Sequence, residues 1–388
     1  MDKEYLLLLN LCAHYLDGEE FELEVDKTVN FRKLFKYAKA HNLLGIVYCA
    51  ISKMKNSNDL PPDFVDALKN KFFDLIYLYE CQSNKLDEVK RLLSSSDTPY
   101  IVFKGARLRE LYPVPESRAM GDIDILISPD DRDKVKKLLT SNGFECVKQN
   151  GPVYNYTKDG VLFEIHTKLI SQYDSGAFAN AFDYAIFDGC DGEFKNSFHF
   201  AYLVAHTAHH FKFYGAGVKL VLDFAVMLKT CNIELDEVFK ILRHFNLDYF
   251  AKVMLTVSYR FFGVGKDYGM DTSDAELFLL KNGAFGNANT NKGVTLARRE
   301  LEQGKKYSPF MTKLRLIFPP YSKLKEIDYI KFIDGRPWLI LYAWVYRIIY
   351  NLKNRKEFTK KAVSSLDDEK TQTLAEKELA FLKEIGLE

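Results

Sequence analysis

The stretch Met120-Gly121-Asp122-Ile123-Asp124-Ile125-Leu126-Ile127-Ser128 decides how this chain is read. Asp122 and Asp124 alternate with Ile123 and Ile125, the period-two signature of a strand. Residues i and i+2 of a strand point to one face, so the two carboxylates stand side by side, about 6–7 Å apart by twice the strand rise. Like charges held that close on an apolar strand repel unless a cation sits between them. A divalent ion fills that role, and Mg2+ takes one or two carboxylates together with phosphate oxygens and water.

Downstream, Ser128-Pro129-Asp130-Asp131 reads as a helix start: Ser as N-cap, Pro at the first position, acids in the first turn. That helix is expected to reach Ser141 and stop at Asn142-Gly143. Residues 144–148 and 154–158 read as strands, Asp159-Gly160 as a hairpin turn, and 161–169 as the return strand. Glu164 then offers a third carboxylate on a neighbouring strand, with His166 two residues on and on the same face. Upstream, the apolar run 101–103 ends at Gly105 and a short helix over 106–112 follows. A glycine there lets backbone approach a ligand, and free N–H groups at a helix start suit an anion. Lys104, Arg107 and Arg118 are cations within reach of a phosphate.

Beyond this unit the periodicity is helical. Residues 1–97 carry apolar stripes such as Tyr5, Leu8, Leu9, Cys12, and a long helix is expected after Pro61-Pro62. Helical stripes return at 198–213, 219–230, 235–245 and 250–262. Residues 282–293 read as a Gly/Asn-rich loop, Pro319-Pro320 as a stop, 338–352 as a strongly apolar helix, 353–361 as a basic run, and 367–385 as a final amphipathic helix. The expected fold class is α+β: a small mixed sheet core at 98–190, between an N-terminal helical region at 1–97 and a C-terminal helical domain at 191–388.

Composition bounds the function. The chain has 388 residues, 47% apolar and 28% charged, enough for a core without disulfide or metal staples. Lys and Arg number 54 against 53 Asp and Glu, a net charge of +1, which argues against a protein that coats nucleic acid. No apolar run approaches about 18 residues, so no spanning helix and no membrane partner are expected. No secretory h-region is apparent, and the six cysteines are scattered without a C-x-x-C pair; a reducing cytoplasm is the expected location.

The order helix-opening Gly105, then Asp122-x-Asp124, then Glu164 resembles the nucleotidyltransferase superfamily that includes DNA polymerase β and kanamycin nucleotidyltransferase. The blocks Phe103-Lys104-Gly105-Ala106, Arg118-Ala119-Met120-Gly121-Asp122-Ile123-Asp124 and Glu164-Ile165-His166 look most like an uncharacterised bacterial branch of it. That branch also tends to carry a His-rich helix followed by a Gly, a basic residue and an Asp, here His206, His209, His210, Gly217, Lys219 and Asp223. The resemblance implies that Asp122, Asp124 and Glu164 bind one or two Mg2+ ions and are catalytic, Glu164 as the third acid and base. It implies that Lys104, Gly105, Ala106, Arg118, Gly121 and His166 contact a nucleoside triphosphate, ATP first among the candidates. His206, His209, Lys219 and Asp223 would line the acceptor side. The expected reaction is transfer of a nucleoside monophosphate to a small-molecule or protein acceptor, with release of pyrophosphate. Ala106 stands where a second Gly or a Ser is usual, which keeps a second reading open: a catalytically degenerate nucleotide sensor or interaction scaffold.

Overall fold

The structure is a computed structural model that describes residues 2–283, 292–302, 308, 311, 314–315, 317–325, 327–354 and 369–387. The chain divides after Gly286 into two compact units.

The first unit opens with helices α1 (Lys3–Asp17), α2 (Phe31–Ala40), α3 (Leu44–Ser52) and the long α4 (Pro62–Ser95). Asp2 and Asn30 cap α1 and α2 through their side chains, and the Pro61-Pro62 pair starts α4 as expected. Strand β1 (Tyr100–Phe103) leads into a single helical turn, α5 (Gly105–Arg109), shorter than the 106–112 helix the sequence suggests. Then come β2 (Asp122–Ile127), α6 (Arg132–Ser141), β3 (Glu145–Asn150), β4 (Val153–Lys158) and β5 (Val161–His166). The Asp159-Gly160 turn is the expected two-residue hairpin, both residues at positive φ, 50° and 79°. A one-turn helix α7 (Gly176–Ala179) precedes a second hairpin, β6 (Ala185–Asp188) and β7 (Asp191–Phe194). Its strands are only four residues long and β6 is largely exposed, so their apolar alternation was too short to stand out. The sheet therefore runs on past residue 190.

Among the described residues the strands form one mixed sheet in the order β3-β4-β5-β2-β1-β7-β6. β2 pairs antiparallel with β1 and parallel with β5; β1 also pairs parallel with β7. Strand alternation gives the sheet two different faces. On one, Tyr100, Ile123, Ile125, Ile127, Phe163 and Ile165 bury themselves against Leu86, Val89 and Leu93 of α4 and Val135 and Leu139 of α6. The other face carries Phe103, Asp122, Asp124, Glu164 and His166, and α8 (Asn196–Phe213) covers it: Tyr202 stands edge-on to Phe103, ring centroids 5.4 Å apart. Helices α9 (Val218–Thr230), α10 (Leu235–Arg243), α11 (Asp248–Phe262) and α12 (Ser273–Asn282) complete this unit. Buried His41 ties α2 to them: it accepts the Val218 N–H at Nδ1, and its Nε2 lies 3.2 Å from the Leu280 carbonyl.

The second unit contains α13 (Lys292–Glu302), α14 (Tyr321–Leu324), α15 (Ile340–Asn354) and α16 (Glu369–Glu384). Val294 and Ala297 pack with Ala375, and Leu324, Ile330 and Ile333 with Ala343. The last two correspond to the expected helices at 338–352 and 367–385. The basic run 353–361 lies outside the described residues from 355 on, as does the loop 282–293 from 284 to 291, while residues 292 and 293 already belong to α13.

Helix α3 meets the segment leading into β2 at Gly45. A Cβ there would lie 2.6 Å from the Ser117 carbonyl oxygen and 2.9 Å from its Cα, both backbone atoms that cannot swing aside. Gly45→Ala is expected to destabilise the fold by about 1–3 kcal/mol, the usual cost of overpacking. Urea denaturation reads the change, and an unaltered midpoint would refute the close contact.

Candidate functional site

The site is assembled by four adjacent strands, β4, β5, β2 and β1. Asp124 pairs in register with Phe103 on β1 and with Glu164 on β5, and Glu164 with Asn155 on β4. Asp124 is only 3% exposed, so its charge must be met inside the protein. Two donors converge on one of its oxygens: Lys104 Nζ at 2.7 Å and His166 Nε2 at 2.8 Å, both on Oδ1. His166 Nε2 also lies 3.5 Å from Glu164 Oε2, and Asn155 Nδ2 donates to Glu164 Oε1 at 2.9 Å.

The electrostatics follow from these contacts. Burial pushes the Asp124 carboxyl up, but Lys104 and then His166 override it and hold it below the ordinary carboxylate range. Glu164 is also held low, chiefly by its interaction with His166. No hydrogen bond or ion pair of this kind is seen for the Asp122 side chain among the described residues: burial, then the neighbouring Asp124 and Glu164 charges, raise its carboxyl against the opposing pull of Lys104. Burial and Lys104 disfavour the His166 imidazolium, yet Asp124 and Glu164 prevail and raise it above its ordinary value. Three carboxylates thus face one lysine and one histidine.

Lys104 is held in an unusual place. Its backbone takes φ 51°, ψ −128°, left-handed territory that a side chain disfavours, immediately before α5. Its N–H donates to His199 Nε2 of α8 at 3.3 Å. Burial and then the Arg107 charge push His199 down to about 3, so the ring is neutral and its nitrogen free to accept.

Other expected residues serve the frame. Arg118 and Asp223, both buried, form a two-pronged ion pair: Nε to Oδ1 at 2.7 Å and Nη2 to Oδ2 at 2.8 Å. Arg118 Nη1 also donates to the Gly105 carbonyl at 3.2 Å, and Tyr112 Oη to Asp223 Oδ1 at 2.6 Å. Burial would raise the Asp223 carboxyl, but Arg118 holds it below the usual range. Lys219 donates to the Ala119 carbonyl at 2.6 Å; burial and then Arg118 push its amine down to about 7. Arg118, expected at the nucleotide, and Lys219 and Asp223, expected on the acceptor side, therefore bind α9 to the segment ahead of β2. Gly105 does not open toward a ligand on its side-chain face: a Cβ there would meet Met120 Sδ at 2.9 Å and Arg118 Nη1 at 3.2 Å. Ala106 is buried in the core beneath, while a Cβ on Gly121 would meet open space.

On α8, His206 and His210 pair through their Nε2 atoms at 3.1 Å, and His210 Nδ1 lies 3.3 Å from the Gly215 carbonyl. A carbonyl only accepts, so His210 carries its proton on Nδ1 and His206 donates from Nε2. His206 stacks on Tyr202, and its neutral form is enforced by burial, then by Lys104 and His210. His209 points elsewhere, with Nδ1 3.2 Å from Gln172 Oε1. The sequence reading missed Asn155, His199, Tyr112 and Tyr202. Asn155 had a usable signal: counting back from the Asp159-Gly160 turn places it opposite Glu164.

The donor atoms of Asp124, Glu164 and His166 lie within 4.8 Å of one another, a group able to hold a metal ion. Two observations fit a divalent cation here. The acids outnumber the cations, and Asn155 Oδ1 and His166 Nδ1, on residues that hydrogen-bond the acids, are buried without hydrogen-bond partners among the described residues. Carboxylate oxygens suit Mg2+, and an imidazole beside them also admits Mn2+.

Two outcomes test this framework. Arg118→Met leaves a buried carboxylate uncompensated and is expected to cost about 3–5 kcal/mol, whereas Arg118→Met with Asp223→Leu recovers most of that loss; equal losses for single and double variants in denaturant titrations would contradict the pairing. The second concerns acid. His41 and His210 are pushed down to about 4 and His199 to about 3, each first by burial, and His206 lies well below 6.5. An unfolded chain protonates these rings near pH 6.5, the folded one only at lower pH, so the stability they supply is present above 6.5 and is lost as pH falls toward about 4. Urea midpoints measured from pH 7.5 to 4.5 are expected to drop; a flat profile would show that the rings are not buried neutral.

A family model described as an uncharacterised nucleotidyltransferase matches residues 27–263. Neither curated proteins nor solved structures give a match. The matched stretch runs from just before α2 to the end of α11 and contains every residue of the acid site, so the chain belongs to this family of uncharacterised nucleotidyltransferases.

Proposed function

We propose that the protein is a Mg2+-dependent nucleotidyltransferase that moves a nucleoside monophosphate from a nucleoside triphosphate, ATP first among the candidates, to a small-molecule or protein acceptor, releasing pyrophosphate. The observation that carries this reading is the convergence of Asp122, Asp124 and Glu164 on one face of adjacent strands, with more acid than base around them. Asp122, Asp124 and Glu164 would hold the ion, and bound Mg2+ would neutralise the triphosphate and the charge that develops on it.

The chain's own residues supply the rest. Lys104, on its flexible four-carbon stem, has an ammonium that reaches a phosphate oxygen as readily as a carboxylate. Glu164, kept ionised by His166 and oriented by Asn155, is able to accept the proton of an incoming hydroxyl. His166 holds Asp124 and Glu164 in fixed relation. His206, stacked on Tyr202 of the same covering helix, would face the acceptor. The near-neutral net charge favours a small-molecule or protein acceptor over a long nucleic acid, and a cytoplasmic setting is part of the same reading.

Calorimetry with Mg2+ and each of the four common triphosphates tests the proposal. Wild type is expected to bind at least one of them in a Mg2+-dependent manner, and Asp122→Asn with Asp124→Asn to lose that dependence. Absence of binding by wild type, or the same binding by the double variant, would sink it.

A further inference from the structure

We propose that Lys104 is a resident counter-ion that occupies Asp124 until a nucleotide draws it away, so that nucleotide and metal load the site cooperatively. The inference rests on the nucleotidyltransferase reading of the acid cluster. It goes beyond that reading by assigning one residue the coupling between the two ligands.

The geometry carries the argument. Lys104 Nζ and His166 Nε2 share one oxygen of Asp124, at 2.7 and 2.8 Å. A Mg2+ ion binds a carboxylate oxygen at about 2.0–2.1 Å. An ammonium already at hydrogen-bonding distance from the same oxygen would be driven against that ion, cation against cation, in a site where water screens little. Asp124 is 3% exposed, and the Lys104 side chain 16%, so neither charge retreats readily into solvent. Without its lysine, Asp124 would face Asp122 and Glu164 with His166 alone to offset them. Lys104 therefore stabilises the empty site, and by the same contact it weakens metal binding there.

The lysine is also mounted so that it can leave. Its backbone sits at φ 51° directly ahead of the single turn α5. That conformation is sustained from outside by the bond from its N–H to His199. His199 is thus a positioning residue: it holds the backbone at the base of the four-carbon stem that carries the ammonium. A triphosphate offers the ammonium a phosphate oxygen in exchange for the carboxylate, and the freed Asp124 then binds the ion. Linkage makes the effect reciprocal, so bound metal favours nucleotide by the same factor.

The test measures Mn2+ binding without nucleotide, by the loss of the free-ion electron paramagnetic resonance signal. Lys104→Gly is the informative variant, because glycine accepts the left-handed backbone and removes only the amine and its stem. Lys104→Met, checked for its native circular dichroism spectrum, guards against a backbone effect. Both are expected to bind Mn2+ more tightly than wild type, within the range of about 5–150-fold typical of coupled sites. Lys104→Arg, which keeps a cation over Asp124, is expected to show no gain, and Asp124→Asn to lose binding. A lysine that never exchanges onto the nucleotide would also give tighter Mn2+ binding when removed, so the titration is repeated with a non-hydrolysable triphosphate: the nucleotide is expected to tighten Mn2+ binding more in wild type than in Lys104→Met, and an equal gain in both would overturn the inference. Folded Lys104→Gly and Lys104→Met proteins that bind Mn2+ no better than wild type would overturn the inference and leave the nucleotidyltransferase reading standing. Absence of Mn2+ binding in every variant, and in wild type with a non-hydrolysable triphosphate, would overturn both.

Discussion

A carboxylate buried in the middle of a sheet is the constraint on which this protein's central region turns. Asp124 lies under α8 with 3% of its surface exposed. An ionised carboxylate in that position is tolerated only where charged donors meet it. The chain answers with Lys104 from the end of β1 and His166 from the end of β5. Those two residues fix how β1 and β5 must flank β2. The pairings Phe103 with Asp124 and Asp124 with Glu164 are the register that lets both donors arrive. A slip of one residue would turn the acids into the apolar core beneath and the isoleucines outward.

The two faces of the sheet divide the labour. One is sealed by α4 and α6 with isoleucine, valine, leucine and phenylalanine, and provides the stability. The other carries charge and is roofed by a helix that contributes rings, Tyr202, His199 and His206, more than aliphatic bulk. Neutral imidazoles suit such a roof because they accept or donate hydrogen bonds without adding charge over an already crowded cluster. The Arg118–Asp223 pair lies to one side and holds the roof's neighbour α9 to the segment that delivers β2.

Much of this was legible in the sequence because it rests on short-range rules. Alternation in 122–127, the Asp-Gly turn at 159–160 and the Pro61-Pro62 start each follow from one local property. The acids Asp122, Asp124 and Glu164 came with the strands. The residues that were missed or given other tasks depend on contacts between distant segments. Arg118 meets Asp223 across 105 positions, and His199 meets the Lys104 backbone across 95. A basic residue beside an acid motif carries no local mark of the distant carboxylate it pairs with. Gly105 is similar: nothing in its neighbours discloses that Met120 fills the space beside it. Asn155 is the exception among the missed residues, since counting back from the turn would have placed it opposite Glu164.

Helix α4 has a consequence of a different kind. Its 34 residues span about 51 Å at the standard rise, and its two ends belong to different surroundings. Phe64, near the start, packs on Phe31 of α2; Leu86, Val89 and Leu93, near the end, lie in the sheet's core. One uninterrupted rod thus belongs to both halves of the first unit. The N-terminal helices and the sheet are therefore joined through a shared continuous element rather than through a linker. The N-terminal region is thus tied to the acid-bearing sheet through α4, although among the described residues it contributes no side chain to the acid cluster.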